Sequence, residues 1–118
     1  TDALCQALHH SMVETGIFPL AGIRVRLFEA DACAIADKHP ANGFVAMTLS
    51  VGHGRTKDVL AAAGSTVFAA AKAQLGEWLA GEYFGLSLEM REIDEVLTWK
   101  TNTIGPRLLA AKQSEGKA

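Results

Sequence analysis

Three arginines stand where their side chains could grip an anion. Arg24 and Arg26 lie two residues apart in the stretch 23–29, and Arg55 closes the run Gly52-His53-Gly54-Arg55. A guanidinium is a planar fork that binds a carboxylate through two parallel hydrogen bonds, which a lysine ammonium cannot reproduce. Arg55 also precedes a helical run beginning at Thr56, and free amides at a helix start favour negative charge. Arg24, on the polar face of that stretch, and Arg55, at a helix start, are thus each placed to bind an anion. The structural alternatives are an ion pair between Arg24 and Glu89, and a solvated turn position for Arg55. Arg26 lies on the same face as Arg24.

Other constellations carry less chemistry. The glycines and arginine at 52–55 lack the spacing and the lysine of a phosphate loop. Cys5 and His9 share a helix face at i, i+4, but two ligands do not make a metal site, so neither metal nor organic cofactor is expected. His53 reads as a solvated loop histidine. Ile17, Phe18 and Phe44 read as core packing, with a pocket wall as the alternative. Two cysteines without metal-type spacing, Cys5 and Cys33, fit reduced thiols and a cytoplasmic location.

The elements that must position these groups follow from periodicity. Residues 2–14 place Leu4, Leu8 and Met12 at fourfold spacing, an amphipathic helix with Asp2 as its N-cap. Gly16 ends it and Pro19 forbids its return. Residues 23–29 alternate as a strand, with Ile23, Val25 and Leu27 opposite Arg24, Arg26 and Phe28. Residues 31–42 form a connection, with a short helical turn expected around 32–37. The clearest strand is 44–51. A long helix follows from Thr56 to about Ala80, with Leu60, Ala63, Val67, Ala71, Leu75 and Trp78 as its apolar stripe. Residues 86–93 alternate again, 96–101 form a weaker extended segment, and Pro106 opens a final helix through Ala111 before a frayed tail from Lys112.

Strand 44–51, helix 56–80 and strand 86–93 make one βαβ unit, whose strands must run parallel. The front half has a helix and a strand but no strand before the helix, as if a second βαβ unit lacked its first member. The polar strand faces, with Arg24, Arg26, Thr48, Ser50, Glu89 and Arg91, are free to face solvent or another subunit.

At 118 residues and 49% hydrophobic content the chain has material for one domain, 1–118, with a real core. A net charge of -2 with scattered Lys and Arg gives no nucleic-acid footprint. No apolar run approaches the roughly 20 residues of a membrane span. No signal peptide is visible, and the sequence opens on Thr1 without a methionine.

The run Thr15-Gly16-Ile17-Phe18-Pro19-Leu20-Ala21-Gly22-Ile23-Arg24-Val25-Arg26 closely resembles the segment TGIFPLAGIRxR of 5-carboxymethyl-2-hydroxymuconate isomerases, in the tautomerase superfamily. Phe44-Val45-Ala46-Met47-Thr48-Leu49 with Gly52-His53-Gly54-Arg55 resembles that family's FVxMTLxxGxGR, and the likeness continues through Leu86-Ser87-Leu88-Glu89 and Trp99-Lys100-Thr101-Asn102. The resemblance implies an α/β (α+β) tautomerase-like fold of two pseudo-repeated β-α-β units and a homotrimer. It also implies a catalytic proline at the mature N-terminus, on the first strand. The sequence starts inside the first helix, so that strand and its proline are expected upstream of Thr1, with no catalytic residue in the chain itself. By this resemblance Arg24 and Arg55 occupy the family's two functional arginine positions and are the candidate substrate-binding residues, while Arg26 matches no such role and reads as structural. The implied activity is isomerisation of 5-carboxymethyl-2-hydroxymuconate to its 2-oxo-3-ene tautomer in bacterial breakdown of aromatic acids (the homoprotocatechuate route). The alternatives are a tautomerase for another anionic enol and a non-catalytic small-anion-binding or structural oligomer.

Overall fold

The computed structural model describes residues 1–116, in the order helix α1 (Asp2–Glu14), a 3-10 turn (Leu20–Gly22), strand β1 (Gly43–Val51), helices α2 (Lys57–Gln74) and α3 (Gly76–Leu79), strand β2 (Phe84–Glu92) and helix α4 (Ile104–Gly116). The expected helix 2–14 is α1, with Thr1 rather than Asp2 at its N-cap and Asp2 in the first turn. Leu4, Leu8 and Met12 are buried along one side, and Ser11 joins them because its hydroxyl donates to the Leu8 carbonyl at 2.7 Å. A buried hydroxyl without that partner would cost about 1–3 kcal/mol. Gly16 takes the left-handed backbone (φ 70°) that ends the helix.

β1 and β2 pair in parallel over their full lengths, Gly43 opposite Phe84 through Val51 opposite Glu92. The single long expected helix is split: α2 stops at Gln74, and Gly76 starts the short α3. Thr56 caps α2 by accepting from the Val59 amide at 3.3 Å, with Asp58 in the first turn and Lys72 in the last, each complementing the helix dipole. α2 faces the sheet at Gly64, where a Cβ would make an ordinary contact with the Met90 methyl at 3.4 Å.

α1 and α2 pack side by side on one sheet face. The core they share holds Leu4, Leu8, Met12, Ile23, Val67 and Ala71, with Met47, Leu49, Leu86 and Leu88 packed against it from the strands. The other sheet face is bare: Phe44, Ala46, Thr48 and Ser50 of β1, and Gly85, Ser87, Glu89 and Arg91 of β2, are all exposed.

The expected strand 23–29 is not a strand. Its alternation survives as far as Arg26: Ile23 is buried and Val25 packs on the core, while Arg24 and Arg26 are exposed; Leu27, expected inward, is exposed as well. What is missing is a partner, because among the described residues none of 24–30 makes a backbone–backbone hydrogen bond. A strand is defined by its ladder, and β1 and β2 pair with each other while their outer edges stay unpaired among the described residues.

Residues 31–42 likewise depart from the expected helical turn. Ala36 and Lys38 have left-handed backbones (φ 51° and 66°), and the Asn42 amide closes the loop onto the Asp37 carboxylate at 2.7 Å and the Ile35 carbonyl at 3.0 Å. In place of an extended 96–101, Asp94 caps a turn by accepting from the Val96 amide at 2.9 Å. The final helix is longer than expected and begins at Ile104. It continues through the segment expected to fray up to Gly116, and the rest of that segment, Lys117 and Ala118, lies outside the described residues. No helix among the described residues is long and apolar enough to cross a membrane.

Candidate functional site at the head of the second helix

β1 ends on Val51, which is buried, and the chain must then turn into α2 within five residues. Gly54 makes this possible with φ 116°, a backbone that L side chains rarely adopt. The turn leaves Arg55 half-buried at the entrance to the helix. Its side chain folds back over its own turn, and Nη1 donates to the Gly52 carbonyl at 3.2 Å. Nη2 donates to the Ile17 carbonyl at 2.7 Å, 38 residues away in sequence. The guanidinium carbon lies 5.2 Å from the centre of the Phe18 ring, a cation–π distance.

These three contacts join the two sequence motifs. Gly16-Ile17-Phe18-Pro19 meets Gly52-His53-Gly54-Arg55 through one side chain. Arg55 is thus not the freely solvated turn residue of the structural alternative. Two of its five N–H donors are satisfied by carbonyls, and three remain for a ligand.

Arg24 is placed differently. The 3-10 turn Leu20–Gly22 leads into Ile23, whose amide donates to the Leu20 carbonyl at 3.1 Å and whose side chain is buried. Arg24 then falls on the opposite, exposed side. The ion pair with Glu89, the structural alternative for Arg24, is not made: Glu89 is bound by Arg91, two residues along the same strand face. Among the described residues Arg24 has no ion pair and no side-chain hydrogen bond, and no residue bridges it to Arg55. Arg26 lies 5.7 Å from the Phe28 ring centre, a contact between two side chains at the surface.

Of the remaining candidates, His53 pairs with Glu92 at 3.2 Å, linking the turn after β1 to the end of β2. Phe18 is half-buried and packs on the core, and its ring also meets Arg55. Phe44 is exposed on the bare sheet face. The role of the Ile17 carbonyl has no sequence signal, since every residue carries a carbonyl. A groove of about 680 Å³ between α2 and β2, lined by Leu60, Gly64, Phe68, Leu88 and Met90 among others, holds neither Arg24 nor Arg55. It is mostly apolar and open, and its charged lining is one lysine, Lys57, set against one carboxylate, Glu92.

The chain matches the family model described as 5-carboxymethyl-2-hydroxymuconate isomerase over residues 1–108. It is similar to a 5-carboxymethyl-2-hydroxymuconate Delta-isomerase of Escherichia coli, 34% identical over 94 residues, which cover 80% of this chain and 75% of that protein. Its structure is similar to that of a 5-carboxymethyl-2-hydroxymuconate isomerase from Deinococcus radiodurans R1, with a TM-score of 0.83 and 34% identity over 89% of this chain and 80% of the other. A second solved 5-carboxymethyl-2-hydroxymuconate delta-isomerase superposes with a TM-score of 0.79 at 27% identity, over 91% of this chain and 81% of the other. The residues matched by the family model include both arginine-bearing motifs.

Proposed function

The chain belongs to the 5-carboxymethyl-2-hydroxymuconate isomerase family, and on that premise we propose that it converts 5-carboxymethyl-2-hydroxymuconate to its 2-oxo-3-ene tautomer, in bacterial breakdown of aromatic acids. The observation that carries this is a single one. The family match spans residues 1–108, and within it Arg55 ties the two motifs that bear the candidate carboxylate clamps.

The reaction moves protons only. The 2-hydroxyl loses its proton as the carbonyl forms, the dienol electrons shift, and C5 gains a proton. It needs a group that titrates near neutrality. The resemblance implies that an amino-terminal proline upstream of Thr1 supplies it. An α-amino group titrates at about 7.7–8.0, and burial near cations lowers it. Arg24 and Arg55 bind the carboxylates and hold the dienol so that C5 faces the amine. Their positive charge also stabilises the dienolate that develops as the hydroxyl proton leaves.

We further propose a homotrimer with the bare sheet face turned into the assembly; the number three rests on the resemblance. Three features support association. One whole sheet face lacks a covering layer. Phe28, Val96, Leu97 and Trp99 are 81%, 76%, 68% and 84% exposed, large apolar side chains that a neighbouring copy could take out of water. The radius of gyration is 17.3 Å, against about 13.5 Å for a compact chain of this length.

The test is the fall in dienol absorbance when native-length protein meets the substrate, with and without chelator. Turnover above the buffer rate, unchanged by chelator, is expected. Binding of the polycarboxylate without turnover would instead support an anion-binding role.

A further inference from the structure

We propose that Phe18 is a positioning residue for Arg55, setting the plane of its guanidinium so that the three free N–H donors face a substrate carboxylate. The proposal rests on Arg55 acting as a carboxylate clamp, as put forward above. An arginine side chain has four freely rotating bonds, and a clamp on such a tether binds only in the fraction of time it is aimed correctly. Anything that fixes the guanidinium before the ligand arrives removes that loss from the binding step.

Arg55 is fixed on three sides. The Gly52 carbonyl holds Nη1 at 3.2 Å, the Ile17 carbonyl holds Nη2 at 2.7 Å, and the Phe18 ring lies 5.2 Å from Cζ. The two carbonyls fix where the guanidinium nitrogens sit, but each leaves rotation about its own hydrogen bond. The ring face opposes tilting out of that position, because the attraction is strongest over the π face.

Phe18 is itself held, and that makes it a wall rather than a second mobile group. It is half-buried and packs against the core cluster of α1 and α2. Gly16 before it is left-handed, φ 70°, and Pro19 after it has φ -59°. A proline also disfavours helical backbone at the residue before it. The segment Gly16-Ile17-Phe18-Pro19 therefore presents one carbonyl and one ring, in fixed relation, to a side chain 37 residues further along.

The test compares native-length, assembled enzyme as wild type, Phe18→Leu, Phe18→Tyr, Arg55→Lys and the double variant Phe18→Leu with Arg55→Lys. Leucine keeps the apolar contact with the core and removes the π face; tyrosine keeps both. We expect Phe18→Leu to raise KM on the order of 3- to 10-fold, with kcat within about twofold of wild type. Phe18→Tyr should recover most of the difference. In the Arg55→Lys background Phe18→Leu should add little, because the plane that the ring orients is gone. Loss of folded enzyme would act the other way, lowering apparent kcat at unchanged KM, and that result would overturn the proposal. An equal loss from Phe18→Leu in both backgrounds would also overturn it. If Arg55→Lys alone left KM and kcat at wild-type values, the clamp itself would fail and the positioning role with it. A second measurement does not depend on turnover: the Arg55 Nε–Hε resonance should carry an upfield ring-current shift in wild type and Phe18→Tyr that disappears in Phe18→Leu. No difference between those spectra would reject the contact.

Discussion

At the scale of single residues, the two arginines differ in what holds them. Arg55 is fixed by two carbonyls and a ring, whereas Arg24 stands exposed without a partner among the described residues. Replacing either by alanine should lower kcat/KM on the order of 10- to 1000-fold, or roughly 1.4–4 kcal/mol of transition-state stabilisation. Lysine should not restore it fully, because a point charge lacks the fork. The two variants should separate in stability: Arg55→Ala leaves the Ile17 and Gly52 carbonyls without their donor and should lower the melting temperature, while Arg24→Ala should leave it close to wild type. Steady-state kinetics beside thermal melts checks both. Kinetics equal to wild type in both variants would remove the clamp. The arginines themselves were legible from residue type and motif. The Ile17 carbonyl and the Phe18 ring were not assignable to Arg55, because a contact across 37 or 38 residues leaves no local pattern.

At the scale of elements, local signals placed those whose stability is local. The stripe Leu4-Leu8-Met12 marked α1, and Thr56 before Asp58 marked the start of α2. Thr56→Ala should cost about 1 kcal/mol of stability, since it removes the acceptor for the Val59 amide. Urea denaturation would read this as a lower midpoint at unchanged slope. The stretch 23–29 shows where such reading stops. Its apolar alternation correctly put Ile23 and Val25 inward, but a strand also needs a neighbour's N–H and C=O groups, and a sequence does not state where that neighbour lies.

The loop 31–42 was misread for another reason. Alanines favour helix, yet Ala36 sits in the left-handed region because Asn42 and Asp37 close the loop around it. Ala36→Gly should therefore stabilise the protein by about 0.5–1 kcal/mol, the left-handed strain relieved less the chain freedom that glycine adds. The same closure depends on pH. The Asn42 side-chain amide, and then the His39 backbone N–H, hold the Asp37 carboxyl below its usual value of 3.8. A lowered folded pKa means the contribution is present above 3.8 and is lost as pH falls through the lower folded value. Amide hydrogen exchange at His39 and in neighbouring loop residues should stay slow at pH 5 and quicken, relative to the core, only below about pH 3.8. Loosening already at pH 5 would show that the carboxylate does not close the loop.

At the scale of the whole molecule, the parallel βαβ unit and the polar strand faces were legible in the residue pattern. The spread of apolar side chains at Val96, Leu97 and Trp99 into solvent was not, because an apolar residue looks the same in a sequence whether or not its own chain covers it. Native-length protein should sediment as a trimer at micromolar concentration, with Trp99 fluorescence shifting to the red on dissociation. A monomer at that concentration would sink the assembly. The proton-transfer chemistry is tested most directly by following the substrate in D2O by NMR, with native-length protein and no added metal. The 2-oxo-3-ene product should form far faster than in buffer alone and carry a deuteron at C5, and this acceleration should fall at least about tenfold in Arg24→Ala. Product formation no faster than in buffer, from protein shown to be folded and assembled, would contradict the proposed isomerisation.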